Sequence, residues 1–334
     1  MKVFAGTSNT EFADLVCKHL GCSRSNAELS KFSDGEIKLV INESVRNDNV
    51  FVIQSTGPSL TNTPNDNIME LSIFIDALKR GSARSVTAVI PYYGYQRQDR
   101  KDYSRAPISA RVIATFLESL GVNRVIVFDL HAGQIQGFFS SCTPVDNLYV
   151  ESYFIRYIHR YILGEEQCFV PLENIVIVSP DEGGMKRAVR ISSKLKCSTA
   201  TIYKDRRKPN EVHKMILMGD VQDRVAVIVD DIIDTAGTAC KAAEVLFENG
   251  ATKIYMLACH GILSGPAMER ISHSHFTQVV ITNTLEISEE KKENPKISVI
   301  DVSWYCAEAI RRSLIGKSLK ELDDDPSVIR QWDD

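Results

Sequence analysis

Short apolar runs rich in β-branched residues recur along the chain, at residues 50–53, 86–90, 125–128, 175–178, 225–229, 254–258, 279–281 and 297–300. Each is bounded by turn formers, which is the pattern of strands buried on both faces. Between many of them lie amphipathic helical stretches, at 68–79, 108–120 and 238–248. Strands alternating with helices predict an α/β fold of mostly parallel sheets joined by crossover helices. One arrangement occurs three times: a helix, a glycine, two or three linking residues, then a strand. Gly81, Gly121 and Gly250 occupy the glycine position, which suits a left-handed helix terminus. Two copies fall in the first half and one in the second, so two related α/β lobes are expected, with a boundary near residues 145–150. Residues 57–66 and 164–173 read as exposed loops.

Composition narrows the class. With 334 residues there is chain for about two domains, and 44% hydrophobic and 25% charged residues exclude a disordered or fibrous chain. No apolar run approaches the roughly 20 residues that span a bilayer, and the opening MKVFAGTSNTEFADL turns polar after four residues. A cytoplasmic protein is the expectation. The net charge of −4 gives no global field for nucleic acid or membrane, so any anion must be met by local charge. Eight scattered cysteines with no C-x-x-C pair read as reduced thiols.

The segment VAVIVDDIIDTAGT at 225–238 carries the most chemistry. A buried strand is followed by two adjacent carboxylates, then by small residues leading into a helix near Ala239. Ligands of open parallel sheets bind beyond the carboxyl ends of the strands. Small residues at a helix N-terminus offer free N–H groups and a positive dipole end to a phosphate monoester. Asp230 and Asp231 can accept hydrogen bonds from vicinal sugar hydroxyls, so the two halves together suit a sugar phosphate. A helix cap at Asp234 or Thr235 would use one polar residue and leave the other carboxylates unexplained. Gly316-Lys317-Ser318 does not complete a P-loop, because Arg311 stands where its first glycine is required. His273 and His275 precede a strand with no carboxylate nearby in sequence and read as surface residues.

With these residues in place the chain resembles the ribose-phosphate diphosphokinases, or phosphoribosyl pyrophosphate (PRPP) synthetases, of the ADP- and phosphate-regulated class, over nearly its whole length. Residues 230–238 are similar to the PRPP-binding signature that phosphoribosyltransferases share. More specific blocks are RQDRK at 97–101, SRAPISA at 104–110, DLHA at 129–132, QIQGFF at 134–139, SPD at 179–181 and NEV at 210–212. The resemblance implies two tandem phosphoribosyltransferase-like domains: 1–147 on the ATP adenine side, 148–320 bearing the ribose 5-phosphate and catalytic loops, and an acidic tail at 321–334. It also implies transfer of the β,γ-diphosphoryl group of MgATP to the 1-hydroxyl of ribose 5-phosphate, giving PRPP and AMP.

Site residues follow from the same resemblance. Asp234, Thr235, Ala236, Gly237 and Thr238 would hold the sugar phosphate, with Asp230 and Asp231 on its hydroxyls. Phe32, Asp34 and Glu36 would meet adenine, and Arg97, Gln98 and Asp99 the rest of ATP. His131 and Asp181 would belong to a Mg²⁺ and phosphate site; because Mg²⁺ prefers oxygen, phosphate and water would complete its shell. Lys204 and Arg206, on a basic loop after the strand at 199–203, would stabilise the group in transit. Ser44, Arg46, Ser82, Gln136 and Asn147 match a subunit-interface site for phosphate and ADP, in an assembly expected to be a hexamer. Binding of nucleic acid or membrane is not expected.

Three features depart from the common family pattern: Ala236 where glycine is frequent, Glu182 and Met185 where smaller residues stand, and a long connection at 140–143 without an acidic residue. The last bears on regulation. A non-catalytic associated subunit is the alternative expectation, against which Lys204 and Arg206 are retained; a purine or pyrimidine phosphoribosyltransferase is a third, opposed by the paired lobes and the blocks at Arg97 and His131.

Overall fold

The computed structural model describes residues 1–164, 172–205 and 214–324. The chain divides into two compact units. Unit 1 holds Met1–Tyr149 together with Asn283–Ile287 and the described part of Asp301–Val328; unit 2 holds Val150–Thr282 and Ser288–Ile300.

In chain order the first part of unit 1 runs β1 (Lys2–Ala5), α1 (Thr10–Leu20), a hairpin of β2 (Ala27–Lys31) and β3 (Ile37–Ile41), β4 (Asn49–Ile53), α2 (Pro64–Arg80), β5 (Ser85–Ile90), α3 (Ser109–Ser119), β6 (Arg124–Phe128) and β7 (Val145–Leu148). The strands other than the hairpin form one parallel sheet in the order β1-β4-β5-β6-β7. Its interior strands are buried along nearly their whole length, as a sheet covered on both faces demands. Leu71, Phe74, Ile75 and Leu78 of α2 and Ala114 and Leu117 of α3 pack over one face. A buried side chain of this size stabilises by about 1.5–3 kcal/mol.

Unit 2 runs α4 (Glu151–Tyr157), β8 (Ile175–Ser179), α5 (Met185–Leu195), β9 (Ser198–Asp205), β10 (Lys214–Met218), β11 (Val225–Ile233), α6 (Gly237–Glu248), β12 (Lys253–Gly261), α7 (Ala267–His273), β13 (Gln278–Thr282) and β14 (Ile297–Ile300). Its sheet has the order β10-β9-β8-β11-β12-β13-β14. Every pairing is parallel except that of β10 with β9. Both units are thus mostly parallel sheets flanked by helices, the expected fold class.

Several local expectations change. The second domain was expected to run from 148 to 320, yet the helix Ser303–Ile315 belongs to unit 1. The reason is packing: Tyr305, fully buried, meets Phe128 edge-on at 6.0 Å, and Phe128 meets Phe12 of α1 at 6.3 Å. Arg311 adds a bond from its guanidinium to the His19 carbonyl at 2.8 Å. The loop expected at 57–66 is shorter, because α2 begins at Pro64. There the Thr63 hydroxyl and the Asp66 carboxylate form a reciprocal capping box.

Gly121 and Gly250 take the expected positive φ, but Gly81 has φ −70° and Ser82 takes the left-handed position instead. What Gly81 supplies is space, since a Cβ there would lie 2.7 Å from Val45 Cγ2. The loop expected at 164–173 falls mostly outside the described residues. The seven described cysteines are unbridged, with Cys17, Cys259 and Cys306 buried.

Candidate active site

The β11 segment departs from its expected form in a way that sharpens the site. The strand does not stop at Val229 but continues to Ile233, with Asp230 opposite Ala258 and Ile233 opposite Gly261 of β12. Asp230 and Asp231 therefore stand on a strand rather than in a loop. Only Asp234, Thr235 and Ala236 separate the strand from α6, which begins at Gly237, two residues earlier than expected. Ala236 caps that helix at φ 57°, ψ 2°, and no side chain caps it. The first-turn N–H groups of α6 accordingly present the positive end of the helix dipole.

This turn is held from below. The Ser264 hydroxyl donates to Asp234 Oδ1, and the Arg270 guanidinium donates to the Thr235 carbonyl at 2.9 Å. The amides of Ile262 and Leu263 both reach Ile233 O. A left-handed conformation costs a non-glycine residue about 1–2 kcal/mol and persists where surrounding contacts over-determine it. Ser264 and Arg270 carry no sequence signal for this role; they come from segments 30 and 35 residues away.

Electrostatically the strand end is strained. Burial, together with the charges of Asp231 and Asp181, pushes the Asp230 carboxyl well above the usual carboxylate range, while Arg187 opposes the shift. The Asp231 amide donates to Asp230 Oδ1 at 2.9 Å. Asp181, just past β8, accepts from Gly184 N through Oδ1 at 3.1 Å. Unit 2 thus brings Asp181, Asp230 and Asp231 into one electrostatic neighbourhood. Hard carboxylate oxygens that repel one another suit a Mg²⁺ ion, whose charge relieves that repulsion. No group of three or more His, Cys, Asp or Glu side chains arranged to hold a metal ion occurs among the described residues. Mg²⁺ chemistry therefore fits these residues if oxygens of a bound phosphate complete the shell.

The remaining sequence-derived residues fall as follows. His131 lies in unit 1, just beyond β6, and its amide donates to Gln96 Oε1 at 2.9 Å. Arg97, Gln98 and Asp99 follow the loop after β5. Gln98 is fixed by Ser109 Oγ at 2.6 Å and by the Ala110 amide at 3.1 Å, and Asp99 accepts from Gln134 Nε2 at 3.0 Å. Phe32, Asp34 and Glu36 form the tip of the β2–β3 hairpin. The Phe32 amide reaches Glu36 O at 2.8 Å, and Asp34 Oδ1 accepts the Glu36 amide at 3.0 Å. The Phe32 ring is 52% exposed, unlike a core aromatic and open to stacking.

Lys204 is the penultimate residue of β9, in register with Met215 of β10; Arg206 lies outside the described residues. Of Ser44, Arg46 and Ser82, the last meets the backbone next to Arg46, since the Asn47 amide donates to Ser82 O at 2.9 Å. Gln136 and Asn147 are engaged otherwise: Gln136 Nε2 reaches Gly133 O at 2.9 Å, and Asn147 Oδ1 accepts the Leu130 amide at 3.1 Å. His273 and His275 are exposed as expected, and His275 stacks on Phe247 at 3.9 Å.

Comparison with known proteins shows the family. Residues 1–121 match the model of the N-terminal domain of ribose phosphate pyrophosphokinase, and residues 204–323 match that of the phosphoribosyl synthetase-associated domain. Ribose-phosphate pyrophosphokinase A of Dictyostelium discoideum is 47% identical over 325 residues, covering 97% of this chain and 98% of that protein. The crystal structure of phosphoribosylpyrophosphate synthetase from Mycobacterium smegmatis superposes with a TM-score of 0.85 at 36% identity, over 94% of this chain and 99% of the other. The chain belongs to the ribose-phosphate pyrophosphokinase, or PRPP synthetase, family.

Proposed function

We propose that this protein transfers the β,γ-diphosphoryl group of MgATP to the 1-hydroxyl of ribose 5-phosphate, forming PRPP and AMP for nucleotide biosynthesis. The observation that carries the reading is the end of β11, where two carboxylates and an uncapped helix N-terminus, built around left-handed Ala236, suit the two ends of a sugar phosphate. The nest at 234–238 binds the 5-phosphate through backbone N–H groups, and Asp230 and Asp231 orient the ribose hydroxyls. Phe32 stacks on adenine, with Asp34 and Glu36 reading its edge, while Arg97, Gln98 and Asp99 hold the nucleotide. His131 and Asp181 serve the metal and phosphate site; bound Mg²⁺ supplies charge neutralisation on the phosphate oxygens. Lys204 and Arg206 neutralise charge that develops on the transferred group. This is the main demand of a reaction governed by alignment and electrostatics.

The proposal extends to assembly and control. A homo-oligomer, taken as a hexamer, would place phosphate and ADP near Ser44, Arg46 and Ser82; the bond from the Asn47 amide to Ser82 O supports the nearness of Arg46 and Ser82. Asn147 is already committed to the Leu130 amide, which weakens its share in such a site. No helix among the described residues is long and apolar enough to cross a membrane, and a cytoplasmic location is part of the proposal.

The test is the product of the nucleotide. Purified protein with ATP, Mg²⁺ and ribose 5-phosphate should yield AMP and PRPP in equal amounts. ADP as the product would indicate γ-phosphoryl transfer and overturn the reading. Nucleotide binding without turnover would point to the non-catalytic subunit instead.

A further inference from the structure

Beyond β6 the chain bends at Asp129, Leu130 and His131, and each of the three amides is tied off by a different group. Asp129 donates to the Leu148 carbonyl at 2.9 Å, Leu130 to Asn147 Oδ1 at 3.1 Å and His131 to Gln96 Oε1 at 2.9 Å. Asp129 is fully buried and sits at φ 42°, a conformation that holds only where its surroundings enforce it. Two of the three enforcing groups are side-chain amides, and each spends its oxygen on the backbone. Gln96 comes from the loop after β5, 35 residues earlier.

Gln96 is completely buried, and its Nε2 finds no hydrogen-bond partner among the described residues. A buried amide kept at that cost calls for an explanation other than filling space; an apolar side chain of equal volume would leave no orphaned Nε2 but would take the acceptor from the His131 N–H. The neighbours of Gln96 show what the cost secures. Arg97 and Gln98 follow it directly, and Gln98 is anchored to the start of α3. The Gln96 side chain thus joins the loop bearing Arg97 to the backbone of His131.

We propose that Gln96 is a positioning residue for the MgATP side of the site, acting through its bond to the His131 amide to fix that residue against the Arg97 loop. The inference rests on the reading of His131 and Arg97 given under Proposed function.

Two substitutions separate positioning from packing. Gln96→Met keeps the volume and removes the acceptor; Gln96→Ala removes the volume but leaves a polar cavity that water can enter to accept the His131 N–H. If Gln96 positions His131, Gln96→Met is the more damaging. It should weaken MgADP binding by calorimetry about 10-fold, as expected for a part-buried N–H that loses its acceptor. It should lower kcat/KM for MgATP by a similar factor and speed hydrogen exchange in the peptide spanning residues 129–135. KM for ribose 5-phosphate should stay within about two-fold, and Gln96→Ala should lie between wild type and Gln96→Met. If Gln96 only fills space the order reverses, with Gln96→Met near wild type and Gln96→Ala impaired, and the proposal falls. It falls equally if both substrates' KM values move together. A wild-type protein that binds MgADP but makes no PRPP would remove the proposed activity, while the order of affinities and exchange rates would still decide the role of Gln96.

Discussion

The Arg270 bond to Thr235 offers a direct measure of how the phosphate nest is held. Replacing Arg270 with Met keeps much of the side chain's length and removes the donor 2.9 Å from the Thr235 carbonyl. A hydrogen bond from a charged donor is worth about 1.5–3 kcal/mol when buried. Arg270 is exposed, so screening reduces this to about 1 kcal/mol. The left-handed Ala236 next to it costs about 1–2 kcal/mol, so the bond and the strain are of comparable size. Without the bond a substantial fraction of the loops should relax away from the binding geometry. A loss of about 1 kcal/mol corresponds to roughly a five-fold rise in KM for ribose 5-phosphate, with KM for ATP and saturated kcat nearly unchanged.

Gly237→Ala provides an independent handle, because its Cβ would sit 3.1 Å from Arg270 Nη1 and would push the guanidinium aside. In a double-mutant cycle the second substitution should then cost less than it does alone. Steady-state kinetics with each substrate varied in turn gives all four corners. Strict additivity of the two changes, or an equal rise in KM for both substrates, would refute the clamp.

Two other perturbations test the chemistry on each side of the nest. Lys204→Ala should lower kcat by about 100-fold or more while KM for ATP changes only a few-fold, as expected when stabilisation specific to the transition state is lost; unchanged turnover in rapid-quench assays would remove Lys204 from the mechanism. Asp230→Asn should abolish PRPP formation yet raise the melting temperature of the ligand-free protein at neutral pH. The native state holds the Asp230 proton more tightly than the unfolded chain does, so this carboxyl favours folding at low pH, and that contribution fades as pH rises through its elevated native value. The Tm gap between variant and wild type should accordingly widen from about pH 4 upward, where an unfolded Asp ionises, in thermal melts without Mg²⁺; a gap independent of pH would contradict the repulsion argued here.

What the sequence made legible was whatever has a short-range signature. Buried β-branched runs announced the interior strands because a strand covered on both faces has no polar alternation to blur it. The 225–238 segment announced the nest because strand, acids and small residues are contiguous. The hairpin β2–β3 went unread: its burial alternates with exposure over only five residues per strand, too short a signal to stand above chance. The start of α2 was legible in principle, since Thr63, Pro64 and Asp66 spell a capping box. Their Pro, Asn, Thr and Asp neighbours gave the stretch the composition of a loop. The membership of the helix Ser303–Ile315 in unit 1 was not legible at all, because Tyr305 meets Phe128 across 177 residues of chain and no local pattern encodes such a partner.

The groups that shape the site share that non-local character, and several act where the backbone is strained. Tyr95, Asp129, Ala236 and Leu263 are non-glycine residues at positive φ, and each lies shortly beyond the carboxyl end of a parallel strand, β5, β6, β11 or β12. None is announced by composition; a sequence reader expects glycine at such positions. What holds two of them is a side chain or carbonyl delivered from elsewhere. The Leu148 carbonyl ties down Asp129 itself, with Asn147 and Gln96 fixing the next two amides. Ser264 and Arg270 fasten the two residues before Ala236. An extended strand end relaxes readily, whereas one bent and pinned from two directions keeps its amides and carboxylates aimed without reorganising when substrate arrives. Among the described residues nine non-glycine positions take positive φ, and Asn47, Ser82, Lys196 and Asp223 lie before strands rather than after them, so strain alone does not mark the site. Where it falls at the ligand-facing rim, the residues that sustain it are as much a part of the site as those that touch substrate.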